Sequence, residues 1–220
     1  MARERDGERR QGRRAAARLL ITVIVKGREV RRADHPIDHL FVDRWSPRAM
    51  SGEPIDEAEL FVLFEAARWA PSAGNTHPWR ILYAHRDTEQ WPLFFDLLVE
   101  RNKVWCVRAS ALLLFISRTT NEQTGKALVT HTYDTGAAWE NLALQGTLRG
   151  LVVHGMAGFD YARARTVLGV PEDFTVEAMA AVGKPGRKEE LPEDFQAREL
   201  PNTRKPLSEL VFEGRFVKGV

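Results

Sequence analysis

Apolar residues recur every three or four positions between residues 55 and 70, and this spacing predicts an amphipathic helix. Asp56 stands at the start of the segment and Glu59 follows three residues later, which is the spacing of a capping box. Pro71 then ends the predicted helix. The residues expected on its buried face are Leu60, Leu63, Phe64 and Ala67.

Four other segments have apolar patterns of the length expected for strands, namely residues 79–84, 109–117, 151–156 and 175–183. The second of them, "ASALLLFIS", is continuously apolar, which indicates burial on both faces. Residues 131–151 predict the longest helix, which Gly150 ends, and shorter helices are expected from Thr88 and within residues 158–170. Because helices and strands interleave, the pattern predicts a layered α/β or α+β domain.

Two segments lack such patterns. Residues 34–55 are polar and rich in turn-forming residues, and Pro36 disfavours an ordinary helix between His35 and His39. The chain after residue 183 is rich in proline and charge, with one short apolar stretch, "LSELVF". It is typical of a tail that lies over another surface rather than of a packed layer.

Composition restricts the class of protein. The 220 residues fit one domain, and 44% apolar with 28% charged residues is ordinary for a globular protein. The apolar runs are far shorter than the roughly 20 residues that a membrane-spanning helix needs. With one cysteine, Cys106, the chain can form neither an internal disulfide nor a thiolate metal cluster, which predicts a cytoplasmic location.

Charge divides the chain into two parts. Residues 1–32 carry a net charge of +7, so the remaining residues carry −5 and the whole chain +2. The basic head could be a nucleic-acid or membrane arm, or a secretory signal with "LLITVIV" as its apolar region. Lys26 and Arg28 follow that run without a small-residue cleavage site, which argues against a signal. The preferred interpretation is a disordered, solvated extension before a domain at 33–220.

The sequence lacks the motifs of several common catalytic and binding sites. The six histidines form no HExxH or similar ligand pattern, so no metal site is predicted. The sequence has no GxSxG elbow, no Walker loop and no GxGxxG fingerprint. These absences disfavour serine acyl transfer, P-loop chemistry and a dinucleotide-binding Rossmann unit.

Three polar clusters remain as candidates. "RWSPR" places Arg44, Ser46 and Arg48 within five residues, and arginine forks suit the oxygens of a phosphate. The segment 71–75 offers backbone and amide groups that could hydrogen-bond the edge of a flat heterocycle. "NTRKP", at 202–206, supplies a second basic pair. Two basic clusters so far apart in sequence could converge on one phosphate.

Taken in this order, the clusters make the chain resemble the FMN-dependent nitroreductase family. The matching stretches are "RWSPRAMSGEPI", "WAPSAGNTHPWRIL", "DTGAAWENLALQGTLRGL", "GMAGFD" and "RKPLSELV", which together extend over about residues 37–212. The resemblance implies an α+β fold, a three-layer sandwich in which helices flank a central mixed sheet. It also implies a homodimer, with the extended C-terminal tail of each subunit wrapping its partner.

The resemblance assigns residues to the two ends of FMN. The phosphate would be held by Arg44, Ser46 and Arg48, by the backbone of Trp45, and from the tail by Arg204 and Lys205. Residues facing the isoalloxazine would be Pro71, Ser72, Ala73 and Asn75 from the other subunit, Asn102 at the pyrimidine edge, and the backbone N–H groups of Ala157 and Gly158 near N5 and O4. Trp79 is expected to be a core or interface aromatic.

The implied activity is a two-step oxidoreductase reaction. NAD(P)H would reduce the flavin and leave, and a small acceptor such as a nitroaromatic or a quinone would take its place. Because the cofactor carries the chemistry, no residue is predicted to be catalytic. Two alternatives stay open: a different reaction on the same fold, such as reductive dehalogenation or flavin cleavage, and a nucleic-acid-binding module that uses the basic head.

Overall fold

A computed structural model of the protein describes residues 24–216. The described chain contains seven α-helices, a four-stranded sheet and four short 3₁₀ turns. The helices are α1 His39–Asp43, α2 Glu57–Arg68, α3 Trp91–Phe95, α4 Glu100–Cys106, α5 His131–Leu148, α6 Tyr161–Val167 and α7 Glu193–Gln196. The strands are β1 Trp79–His85, β2 Ala111–Arg118, β3 Val152–Met156 and β4 Phe174–Gly183.

The sheet has the strand order β1-β2-β4-β3. All three pairings are antiparallel, and one irregularity in the β2–β4 ladder lies between Phe115 and Ile116. The predicted α+β arrangement of helices around a central sheet is confirmed. The strand pairs within residues 24–216 are all antiparallel, whereas the resemblance implies a mixed sheet. All four predicted strand segments do form strands.

Helices cover both faces of the sheet, which gives three layers. Strand β2 lies inside the sheet, and every residue of it except the last is buried. Its residues Leu112, Leu114 and Ile116 face the layer that contains α3, α4 and α6. Leu113 and Phe115 point the other way and pack against α2 and α5. The continuous apolar run thus fits a strand with a hydrophobic core on each side.

Helix α2 begins and ends close to the positions that the sequence predicts. The Asp56 side chain caps it by accepting a hydrogen bond from Glu59 N at 2.7 Å. The helix packs on α5, and α5 in turn approaches the sheet at Gly146. A Cβ atom added at Gly146 would lie 2.4 Å from Val153 Cγ2, so only glycine allows this close approach.

Three short helices, α1, α4 and α7, were not expected from the sequence. Helix α1 lies inside the segment read as turns; Asp38 caps it, and Pro36 precedes this cap and so does not interrupt it. Helix α4 has only seven residues, of which Trp105 and Cys106 are buried, and this is too short a stretch to give a clear helical period. Helix α3 is shorter than the pattern after Thr88 predicts.

Part of the predicted N-terminal extension packs on the domain. Trp45 Nε1 donates a hydrogen bond to Val25 O at 2.8 Å, and Arg28 forms an ion pair with Asp43. A Cβ added at the buried Gly27 would overlap Val42 O, which shows how closely this segment lies against α1. Residues 24–32 therefore contact the domain. A disordered extension was predicted for residues 1–32. Residues 1–23 of it lie outside the described part of the chain.

The first part of the C-terminal tail packs against its own chain. Leu191, Phe195, Glu199 and Pro201 are buried, whereas residues 202–206 are exposed. That the residues beyond Pro201 wrap around a partner subunit stays a prediction. Between residues 24 and 216, no helix has the length and apolar character needed to cross a membrane.

Candidate functional site

Five arginines converge on one cleft of about 670 Å³, which we call the arginine cleft. Its basic residues are Arg31, Arg44, Arg48, Arg198 and Arg204, and Trp45, Ser46, His154 and Asn202 also line it. They come from the segment before α1, the loop between α1 and α2, strand β3 and the C-terminal tail. The fold thus brings together the two basic clusters that the sequence places about 160 residues apart.

Arg44 lies at the centre of this convergence. Its Nη1 is 3.4 Å from Ser46 Oγ, its Nε is 3.3 Å from Glu140 Oε1 on α5, and its guanidinium lies 5.9 Å from the centre of the Trp139 ring. Burial raises the pKa of Glu140, while the charges of Arg44 and Arg204 act in the opposite direction. Both arginines therefore lie close enough to one carboxyl group to influence its protonation.

Arg48 is fixed by a buried carboxylate from the tail. Glu199 Oε1 accepts hydrogen bonds from the backbone N–H groups of Arg48, at 2.6 Å, and Ala49, at 2.8 Å. Glu199 Oε2 lies 3.8 Å from Arg48 Nη1 and makes no hydrogen bond within the described chain. Burial lowers the pKa of the Arg48 guanidinium, although Glu199 partly offsets this effect. The tail is thereby attached beside the "RWSPR" motif.

His154 forms the floor of the arginine cleft as a neutral group. Its Nδ1 lies 2.9 Å from Pro47 O and must donate, since a carbonyl oxygen can only accept. Burial lowers the pKa of His154 to about 4, and the charges of Arg48 and Arg44 act in the same direction. At pH 7 the imidazole therefore adds no charge to the cleft.

A second cleft of about 410 Å³, the α5 cleft, lies between α5 and the sheet. Gly155 and Ala157 line it, one and three residues after His154 of the arginine cleft. A Cβ added at Gly155 would lie 2.8 Å from the Trp139 ring, so a larger residue here would displace the indole. The other lining residues are Phe115, Thr132, Thr135, Gly136, Met156, Glu177 and Ala178.

Asn102 meets the end of β3. Its Nδ2 donates a hydrogen bond to Gly158 O at 3.0 Å, and a Cβ added at Gly158 would lie 2.7 Å from the same nitrogen. Helix α4, which the sequence pattern missed, is the element that positions Asn102. Asn102, Ala157 and Gly158 thus lie close together, and their contact with the ring of a flavin stays a prediction.

The remaining predicted residues lie apart from these clefts in the single chain. Lys205 is exposed and pairs with Glu209 at 2.9 Å, so of the two tail cations that were predicted to hold the phosphate, Arg204 lines the arginine cleft and Lys205 does not. The segment 71–75 forms an exposed turn between α2 and β1 and lines neither cleft. Its placement against a flavin of the partner stays a prediction.

The turn at 71–77 has an unusual backbone. Gly74, Asn75 and His77 all have positive φ, a conformation that asparagine tolerates better than most residues. The turn is held by hydrogen bonds from His77 N to Ser72 Oγ, at 3.0 Å, and from Ala73 N to Asp134 Oδ2 of α5, at 3.1 Å. Trp79, two residues after the turn, is a buried core residue, as predicted.

Sequence reasoning missed six residues that the structure places in or beside the clefts. Arg31 was assigned to the solvated head, and Arg198 and Glu199 lie in a tail with many charges and no periodicity. Near the α5 cleft, buried Ser117 Oγ lies 2.7 Å from His131 Nδ1 and hydrogen-bonds Glu177. These contacts join residues distant in sequence, so no local spacing could have indicated them.

Comparison with known proteins defines the class of protein. Residues 42–104 match the Nitroreductase family. A crystal structure of an oxidoreductase containing FMN is 46% identical, covers 85% of this chain and 96% of its own, and superposes with a TM-score of 0.82. The chain therefore belongs to the nitroreductase family.

Two further relatives are more distant. A nitroreductase family protein from Clostridium difficile 630 shares the fold at 22% identity, with 80% of this chain and 97% of its own covered and a TM-score of 0.62. The 5,6-dimethylbenzimidazole synthase of Rhodospirillum rubrum is 26% identical over 180 residues, which cover 71% of this chain and 85% of the synthase.

Proposed function

We propose that this protein is an FMN-dependent oxidoreductase that passes reducing equivalents from NAD(P)H to a small acceptor. The observation that carries the proposal is the convergence of Arg44, Arg48 and Arg204 on one cleft. The similar oxidoreductase of known structure contains FMN, which gives the cleft a ligand of suitable chemistry. FMN, when bound, would supply the redox chemistry.

The arginine cleft fits a phosphate group. Five arginines line the cleft, and within the described chain two carboxylates form ion pairs with them, Glu140 with Arg44 and Glu199 with Arg48. Arg204 donates only to Asn202 Oδ1 and to Thr203 O within the described chain. The cleft therefore retains excess positive charge, which a phosphate dianion would neutralise through charge-assisted hydrogen bonds.

The ring end of the flavin is proposed to lie toward the α5 cleft. Gly155 and Gly158 keep the backbone there free of side chains, and Asn102 presents a polar amide beside it. Backbone N–H groups at Ala157 and Gly158 would orient the ring without supplying an acid or base. The role of these residues is to bind, to orient and to restrict access of water.

A homodimer is proposed to complete the site. Large apolar residues near the 71–77 turn and at the start of α5 are exposed in the single chain: Trp69 at 73%, Tyr133 at 81% and Val129 at 92%. Such surfaces are typical of protein interfaces. If a second subunit covers them, Pro71, Ser72, Ala73 and Asn75 would be placed to approach the flavin of the partner.

The identity of the acceptor is part of the proposal. A nitroaromatic or a quinone is proposed because each is a flat, reducible molecule that can stack on a flavin. The similarity to a protein named as a synthase keeps another reaction on the same fold as the alternative, for instance reductive dehalogenation or flavin cleavage.

The donor can be tested by anaerobic mixing of the FMN-loaded protein with NADH or NADPH. We expect the visible flavin absorbance to bleach with one of the two nucleotides and to return when a quinone or nitroaromatic is added. Steady-state initial rates should give parallel double-reciprocal lines, because donor and acceptor use the site in turn. Persistent absorbance with both nucleotides, or intersecting lines from a ternary complex, would contradict this part of the proposal.

A further inference from the structure

Arg31 connects the two halves of the arginine cleft. Its Nη1 donates to Val42 O at 2.9 Å and to Arg44 O at 2.8 Å. On the other side its Nε donates to Asn202 O at 2.7 Å, and its Nη2 lies 3.2 Å from Asn202 Oδ1. One guanidinium group thus bridges the backbone that carries Arg44 and a tail residue 171 positions away.

Asn202 passes this connection on to Arg204. The Asn202 Oδ1 atom that lies near Arg31 Nη2 also accepts a hydrogen bond from Arg204 Nη1 at 3.0 Å. Four of the five side-chain N–H groups of Arg31 therefore donate hydrogen bonds to protein oxygens within the described chain, and one remains available for a ligand. Arg31 is therefore better suited to positioning neighbouring residues than to binding a phosphate itself.

The electrostatics oppose this arrangement when no anion is present. Burial lowers the pKa of Arg31, and the neighbouring positive charges of Arg204 and Arg44 act in the same direction. No carboxylate within the described chain forms an ion pair with Arg31 to offset this repulsion. The backbone carbonyls of Val42 and Arg44 and the oxygens of Asn202 are the groups that keep three like charges close together.

We propose that Arg31 is a positioning residue that holds Arg204 opposite Arg44 so that both can bind the phosphate of FMN. The inference rests on the proposed function, and it assigns a specific role to a residue of the basic head. Arg31 acts through Asn202 and Arg204, so its contribution depends on the phosphate and on an intact Arg204.

The test compares FMN and riboflavin binding to purified apoprotein by titration of flavin fluorescence. For Arg31→Ala we expect FMN affinity to fall about three- to tenfold, since hydrogen bonds that order the tail are lost. Riboflavin affinity should change less than about twofold, because riboflavin lacks the phosphate that the displaced Arg204 would bind. Arg32→Ala is the matched control, since Arg32 is the exposed neighbouring arginine and its loss removes the same charge.

Two further variants separate positioning from charge. Arg31→Lys keeps the charge but lacks the planar fork that reaches Asn202 and two carbonyls together, so FMN affinity should stay reduced. In an Arg204→Ala background, Arg31→Ala should weaken FMN binding by less than about twofold, as expected for residues that act as one unit.

Four results would overturn the inference. Full rescue by Arg31→Lys would assign the effect to charge alone, and equal losses for FMN and riboflavin would assign it to general folding. Additive losses in the double variant would show that Arg31 does not act through Arg204. An unchanged FMN affinity in Arg31→Ala, when Arg44→Ala does weaken FMN, would remove any role for Arg31. A parent protein that binds no FMN would instead contradict the proposed function itself.

Discussion

Arg44→Ala and Arg204→Ala should each weaken FMN binding by about ten- to a hundredfold, because charge-assisted hydrogen bonds contribute about 1.5–3 kcal/mol each and 1.4 kcal/mol corresponds to tenfold. Both side chains line the arginine cleft, and both lie close enough to Glu140 to influence its pKa. Titration of flavin fluorescence on apoprotein measures the change.

Lys205→Ala is the matched control for the tail. Lys205 is next to Arg204 in sequence and carries the same charge, but it is exposed and paired with Glu209. Its loss should leave FMN affinity within about twofold of the parent. Riboflavin should bind poorly to the parent and lose little further affinity in any of the three variants. If Arg204→Ala leaves FMN affinity unchanged, the tail does not close the site. If Arg44→Ala also leaves it unchanged, the assignment of FMN as the cofactor is wrong.

The second large effect concerns stability. Glu199→Ala should lower the free energy of unfolding by about 2–4 kcal/mol, because it leaves the backbone N–H groups of Arg48 and Ala49 without an acceptor in a buried position. Glu199 is itself only 5% exposed, so water cannot easily replace its carboxylate. The same change should detach the tail from the "RWSPR" motif and weaken FMN binding.

Urea denaturation of the apoprotein measures this effect without interference from ligand. Glu193→Ala is the control, since Glu193 is an exposed carboxylate at the start of α7 in the same tail. It should change stability by less than about 0.5 kcal/mol. Should Glu199→Ala unfold at the same urea concentration as the Glu193→Ala control, the tail would have no structural role beside the site.

Much of the fold was predictable because its signals are local. The cap at Asp56, the period of α2 and the continuous apolar run of β2 are all readable within a dozen residues. The direction of strand pairing was not predictable, since it depends on how distant strands meet. Helix α4 was missed because seven residues with two buried side chains show no period.

Some residues of the candidate site were likewise predictable from local sequence, and others were not. Arg44, Ser46 and Arg48 were readable as a motif and Arg204 as part of a second basic cluster, and the resemblance assigned both clusters to one phosphate. Arg31 was not readable, because nothing in the sequence of the head distinguishes it from its neighbour Arg32. Its position follows from carbonyl groups at residues 42 and 44 and from Asn202, which only the folded chain brings together.

The measurement that tests the central claim most directly is the flavin content of the purified protein together with its mass in solution. Denaturation should release noncovalently bound FMN at one molecule per chain, and light scattering should give twice the mass of one chain. The predicted sample is therefore a yellow dimer. A colourless monomer that takes up no added FMN would contradict the account.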